Sequence, residues 1–163
     1  MISDVTTHIA DQLNEFLIQK YDLEEKIVVI ADGSDEDSIA NKISITLVNL
    51  SLDPLLENRR STHNRLMAKT PILLNFHILV SANFGGSRYL ESLKFVSEIV
   101  NFFGERPIFD RFSSPNMNGK IDKVVVEFED TSIKDMHSIF SATGRTYMPS
   151  VLYKVRAFHG TDH

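Results

Sequence analysis

Apolar residues recur every three or four positions over residues 2–20: Ile2, Val5, Ile9, Leu13, Phe16 and Leu17, with Asp, Gln, Asn and Glu between them. That period predicts an amphipathic helix, with Ser3 or Asp4 available to cap it. KIVVIA (26–31) is a short β-branched run, followed by the polar turn ADGSDEDS (31–38). ISITLVNL (43–50) then alternates, placing Ile43, Ile45 and Leu47 on one face. The two runs read as an antiparallel hairpin with a long tip. Residues 51–71, with Pro54 and Pro71, lose both periods and read as a long polar loop, which a compact domain seldom carries without a use for it.

ILLNFHILV (72–80) is the strongest strand, with Ile72, Leu74, Phe76, Ile78 and Val80 on a wholly apolar face. Its other face, Leu73, Asn75, His77, Leu79 and Ser81, is mixed, which predicts a central strand with its apolar side on helices. SANFGGS (81–87) turns the chain into a helix over 88–103, with Leu90, Leu93, Val96, Val100 and Phe103 along one stripe. Gly104 stands where a left-handed cap belongs, and Pro107 prevents continuation. KIDKVVVEFE (120–129) reads as the next strand, and Ser132 with Asp135 as the cap of a helix over 132–142 that Gly144 ends. GRTYMPSVLYKVRAF (144–158) supplies the last strand, expected at an edge: Val151, Tyr153, Val155 and Ala157 face one way, and Leu152, Lys154, Arg156 and Phe158 the other. The order α-β-β-β-α-β-α-β, with no repeat or linker, predicts one α+β domain over 1–163. It would be a single, mainly antiparallel sheet of about five strands with three helices packed on it.

Composition narrows the function. A chain of 163 residues, 42% hydrophobic, can build a core without staples. The absence of cysteine excludes disulfides and thiolate metal sites. A net charge of −5, with Arg59 and Arg60 only a lone pair in a polar loop, argues against binding nucleic acid. MISDVTTHIADQ lacks the cationic start and apolar run of a signal peptide, and no apolar stretch is long enough to span a membrane. A soluble, intracellular protein is expected.

Candidate chemistry is sparse. FGGSRYLES places a glycine pair before a helix, as a phosphate-binding turn would, yet it lacks the P-loop and G-x-G-x-x-G spacings. A tight strand-to-helix turn capped by Ser87 accounts for it as well. Asp32, Asp35, Glu36 and Asp37 lack EF-hand spacing, and Asp22, Glu24 and Glu25 read as a solvated connection. The six histidines form no H-x-x-x-H pair, and no nucleophile elbow is present. His77, in mid-strand, reads as a half-buried histidine. No catalytic, metal-binding or cofactor-binding residue is assigned, and an enzyme is not expected.

The C-terminal third is more specific. Gly144, Tyr147, Pro149, Ser150, Tyr153, Lys154, Val155 and Arg156 form the pattern G..Y-x-P-S-h-x-Y-K-V-R, where h is apolar. With VNL (48–50), the Pro71-led strand ending Ala82-Asn83-Phe84, Tyr89, Leu93 and NFFGERPIF (101–109), the chain resembles the N-terminal domain of tail-terminator or cap proteins of contractile injection systems. These are phage-tail-like machines related to type VI secretion. Phe140 stands where the family often has tryptophan, and Gly104 where it often has glutamine.

The resemblance implies a structural protein, assembled in the cytoplasm into the injection particle. It would form a hexameric ring on the distal end of the inner tube and sheath and stop their polymerisation. A neck or baseplate adaptor of the same apparatus is the alternative, and an anion- or nucleotide-binding domain using FGGS a further one. Lys154 and Arg156 would meet a carboxylate on the sheath, the tube or the next subunit, flanked by Arg145 and Tyr147. The loop bearing Arg59 and Arg60 could order on contact. Alternatively, the two strand cations only keep an edge strand from aggregating.

Overall fold

The computed structural model describes residues 1–52 and 72–159. Its elements are α1 (Ile2–Tyr21), β1 (Val28–Ile30), α2 (Glu36–Ile39), β2 (Ile43–Leu52), β3 (Ile72–Ala82), α3 (Tyr89–Glu105, entered through a 3₁₀ turn at Gly86–Arg88), β4 (Ile108–Asp110), β5 (Ile121–Phe128), α4 (Ile133–Thr143) and β6 (Ser150–His159). One six-stranded sheet runs in the order β1-β2-β3-β6-β5-β4. The α+β class is as expected, with one more strand and one more helix than the sequence periods suggest. The additions, β4 and α2, are three and four residues long, too short for periodicity to register.

Two strand placements differ from expectation. β1 and β2 pair in parallel, not as a hairpin. Residues 31–42 hold α2 and provide the dozen residues that a parallel crossover needs. β6 lies in the middle of the sheet, antiparallel to β3 on one side and β5 on the other. Its Val151, Leu152, Tyr153, Val155 and Ala157 are all buried, as befits a strand with neighbours on both sides and layers on both faces.

One face of the sheet carries the main core. Ile43, Ile45, Phe76, Ile78, Val80, Val126, Tyr153 and Val155 pack beneath Val5, Ile9, Leu13 and Leu17 of α1 and Phe95, Ile99, Phe102 and Phe103 of α3. Phe103 lies 4.7 Å from the Tyr153 ring and Phe84 stacks on Phe95 at 5.0 Å. The end of α1 is fastened to α3 through Glu98, which accepts from Lys20 Nζ (2.7 Å) and Tyr21 Oη (2.8 Å). On the opposite face α4 covers a smaller cluster, Leu79, Phe140 and Leu152, with Val48, Met136 and Ile139 around it.

Local signals decide how these helices begin and end. Ser132 Oγ accepts from Asp135 N, and Gly144 closes α4 in the left-handed region (φ 68°), both as expected. Gly104, by contrast, lies inside α3, which runs on to Glu105 and is stopped before Pro107. Ser87 sits within the 3₁₀ turn and caps nothing, and α1 starts before Ser3 and Asp4. Asn14, spaced as a polar-face residue, is buried. Its amide accepts from Ile27 N and Val28 N and donates to Val28 O, so it holds the edge strand β1 to α1.

Tyr153 is 1% exposed and its hydroxyl has no hydrogen-bond partner among the described residues. Burial pushes the phenol well above its ordinary pKa. An unpaired buried hydroxyl costs about 1–3 kcal/mol. Tyr153→Phe is therefore expected to stabilise the fold by about 1 kcal/mol in denaturant unfolding. A comparable loss would mean that the hydroxyl is bonded.

Candidate assembly surface

Gly144 turns the chain back from α4, with Arg145 N donating to Phe140 O, and so aims the next side chain across the end of the sheet. Arg145 is 7% exposed. Its guanidinium donates to Ser44 Oγ (3.2 Å) and Thr46 Oγ1 (3.4 Å) on β2 and to Asn83 Oδ1 (3.0 Å) beyond β3. No carboxylate pairs with it among the described residues, and burial lowers its pKa, with Glu36 acting weakly in the other direction. Gly33 is backed against the arginine: a Cβ there would lie 2.2 Å from Arg145 Cδ, and its φ of 83° is left-handed.

The sheet face bearing α4 is built of rows, because directly paired residues on neighbouring strands point the same way. The first row is Ser44–Ser81–Ser150, and the second Thr46–Leu79–Leu152. Arg145 and α4 cover these two. The third row is Asn49–His77–Lys154–Glu127 and the fourth Ser51–Asn75–Arg156–Val125–Ile108. Beyond it lie Leu73, Phe158, Lys123 and Asp110. Lys154, Arg156, His77, Val125 and Phe158 are half-buried, whereas Lys123 and Ile108 are exposed.

The charges of the outer rows are loosely held. Arg156 Nη2 is 4.0 Å from Glu127 Oε2, and His77 Nε2 is 3.8 Å from Glu129 Oε1. Lys154 makes no ion pair among the described residues. Such solvent-facing pairs contribute at most about 1 kcal/mol, which leaves the cations available to a better partner. The result is a sheet surface with a cationic centre and apolar margins, over which no helix among the described residues lies, although Asn75 in its fourth row is buried.

The Pvc16 N-terminal domain model matches residues 4–159, nearly the whole chain. The chain belongs to the Pvc16 N-terminal domain family. A solved structure, the PVC sheath/tube terminator in the extended state from a cryo-EM study of an extracellular contractile injection system, is similar in fold. The TM-score is 0.59 at 11% identity, covering 100% of this chain and 57% of that one. The chain thus spans little more than half the length of that terminator. No curated protein matches it.

Within the Pvc16-type domain, the motif YMPSVLYKVR proves to be an entry into a central strand. Pro149 O accepts from Ala82 N, and Ser150 Oγ donates to Ser81 Oγ at 2.7 Å, which sets the register of β6 on β3. Lys154 and Arg156 follow in adjacent rows, so the structure brings these two together. Tyr147 is 60% exposed against Phe140, beside α4 and ahead of the strand. Arg145 departs from expectation: its side chain is buried within the subunit, and its guanidinium is taken up by Ser44, Thr46 and Asn83. Arg59 and Arg60 lie outside the described residues. Because β6 is central, its cations cannot serve to protect a sheet edge.

Sequence reasoning missed Ser44, Thr46, Asn83 and Gly33 as the nest around Arg145. Only the small polar residues on an otherwise apolar alternation, ISIT (43–46), hinted at it. The FGGS turn is likewise built inward: Phe84 N donates to Ser92 Oγ, which itself donates to a backbone carbonyl (Ala82 O and Phe84 O both lie 2.8 Å away). Gly85 and Arg145 line a cavity of about 300 Å³, but Glu36 lines it too and opposes an anion there.

Removing the guanidinium leaves Asn83 Oδ1 without its partner and takes one bond each from Ser44 and Thr46, which keep those to Asn83 Nδ2 and Ala31 O. Arg145→Met is expected to cost about 2–4 kcal/mol in denaturant unfolding. Gly33→Ala should cost at least about 1 kcal/mol, since the left-handed turn and the pinned Cδ both resist a methyl group. If neither variant moved the midpoint, the nest would not be holding α4 to β2.

Proposed function

We propose that this domain is a structural capping module of a contractile injection system, forming a hexameric ring on the end of the tube and sheath and ending their growth. The observation that carries it is the face opposite α1 and α3: among the described residues α4 packs on its first two rows, and Lys154 and Arg156 stand half-buried in the next two, beside Glu127. A sheet face that exposes Ile108 and half-buries Val125 and Phe158 around Lys154 and Arg156 is suited to meeting an apolar, acidic partner. Family membership and the likeness to a protein described as a sheath/tube terminator support the same reading. Its partners would be further copies of itself and the sheath and inner-tube proteins, in the cytoplasm during assembly. No helix among the described residues is long and apolar enough to cross a membrane. The role requires no catalysis and no cofactor.

The cations test the partner side of the proposal. Charge reversal would set new carboxylates next to Glu127, so neutralisation is the cleaner change. Lys154→Gln with Arg156→Gln should leave the isolated domain within about 1 kcal/mol of its original stability, because the surface pairs contribute so little. The same variant should lower the fraction of capped, length-limited tubes in electron micrographs by about tenfold. Normal capping by the folded double variant would exclude these residues from the contact.

The self-association side is read from light scattering over a concentration series. Closed rings would give about six times the 18.5 kDa chain mass. A fixed monomer mass in solution, together with single copies on tube ends, would count against a ring.

A further inference from the structure

Phe112 is 97% exposed, the most exposed large apolar side chain among the described residues. It is nevertheless held in a stiff turn. Asp110 Oδ1 accepts from Phe112 N (3.0 Å), Ser113 N (2.9 Å) and Ser113 Oγ (3.1 Å), while Asp110 O accepts from Ser114 N (2.8 Å). Arg111, beside it, donates to Gly119 O (2.6 Å) and Asp122 Oδ1 (2.8 Å) and closes the base of the loop. A solvated phenylalanine on a floppy tip would be unremarkable. One whose backbone is already fixed can enter a partner without a large ordering cost.

At the other end of β5 the same chain carries an open apolar cavity of about 450 Å³. Phe140 is buried at it, Met136 is half-buried, and Ile133 and Tyr147 stand exposed, at 92% and 60%. Methionine adapts to an incoming ring, and two aromatic rings offer edge or offset contacts. Phe112 precedes β5 and the cavity follows it, so the two sites lie beyond opposite ends of a strand that is itself about 26 Å long. Their surroundings carry opposite charge. Arg111, Lys120 and Lys123 outnumber Asp110 and Asp122 around the knob, whereas Glu129, Asp130 and Asp135, beside the cavity in sequence, outnumber Lys134 and Arg145, whose guanidinium lies 5.8 Å from the Phe140 ring.

We propose that Phe112 of one copy seats in the Met136–Phe140–Tyr147 cavity of the next, and that this contact closes the ring. The inference rests on the self-assembly proposed above and specifies its interface. Knob and cavity are different patches, so the contact is head-to-tail; it closes into a ring when its rotation divides a full turn, whereas a two-fold contact would need one patch to meet itself. The small opposed charge excesses favour knob-to-cavity over knob-to-knob or cavity-to-cavity encounters.

The test uses the full chain with p-benzoylphenylalanine in place of Phe112, irradiated in solution and on purified sheathed tubes, with isotope-mixed copies to separate intermolecular from intramolecular products. Crosslinks between copies that map to residues 133–147, with Phe112→Ala weakening association about thirtyfold, are the expected result. Assembly of the unmodified chain with crosslinks mapping elsewhere, or with Phe112→Ala assembling normally, overturns this contact and leaves the ring reading standing. Unmodified chains that neither associate in solution nor cluster on tube ends overturn the ring reading itself, and this contact with it.

Discussion

β6 is the only strand that touches both halves of the sheet. On one side stand β1, β2 and β3, on the other β4 and β5, and the backbone hydrogen bonds of the last strand join them. The core on the helical side is therefore incomplete until residues 150–159 arrive, because Tyr153, Val155 and Ala157 fill the middle of it. Pairings of that sequence separation form late and cost loop entropy, which favours a fold that is all or nothing over one that assembles from stable pieces. The same placement puts Lys154 and Arg156 in the interior of a sheet face, flanked by strands on both sides, where their positions are set by the rigid framework.

The second constraint acts at right angles to the first. Strand pairing fixes the sheet; among the described residues, Arg145 and the small Leu79–Phe140–Leu152 cluster, with Val48, Met136 and Ile139 around it, hold α4 against it. A buried guanidinium satisfied by neutral oxygens is an expensive way to attach a helix, since desolvation works against the charge. It does supply direction: a planar fork with three acceptors on two segments admits one orientation, which a few apolar contacts would not. That orientation determines which rows of the sheet α4 covers.

The division of labour between the faces fits a part that must be both a stable unit and a connector. Aromatic packing of α1 and α3 is confined to one side, while cations, half-buried apolar residues and loosely held ion pairs share the other. A stiff turn with an exposed aromatic ring and a cavity of suitable size then occupy opposite ends of β5.

The sequence by itself determined the α+β class, the extents of α1, β3, α3 and β5 within a few residues, and the capping of α4 by Ser132 and Gly144, because these depend on periods and caps that are local in the chain. The face that α3 buries, Phe95, Ile99 and Phe102, differs from the expected stripe, whose Leu90, Leu93 and Val100 are exposed. Its most specific motif, PSVLYKVR, pointed to the family that the domain model then matched over residues 4–159. Only the tertiary structure decided that β1 runs parallel to β2, that β6 is central, that Asn14 faces inward and that Arg145 is a buried fastener where a surface contact was expected. Strand neighbours and the burial of a polar side chain are set by residues tens of positions away: Arg145 meets Ser44 and Asn83, and Lys154 meets His77. An alternating pattern states which residues share a face. It carries no information about which strand lies beside them, and that is a property of the closed sheet.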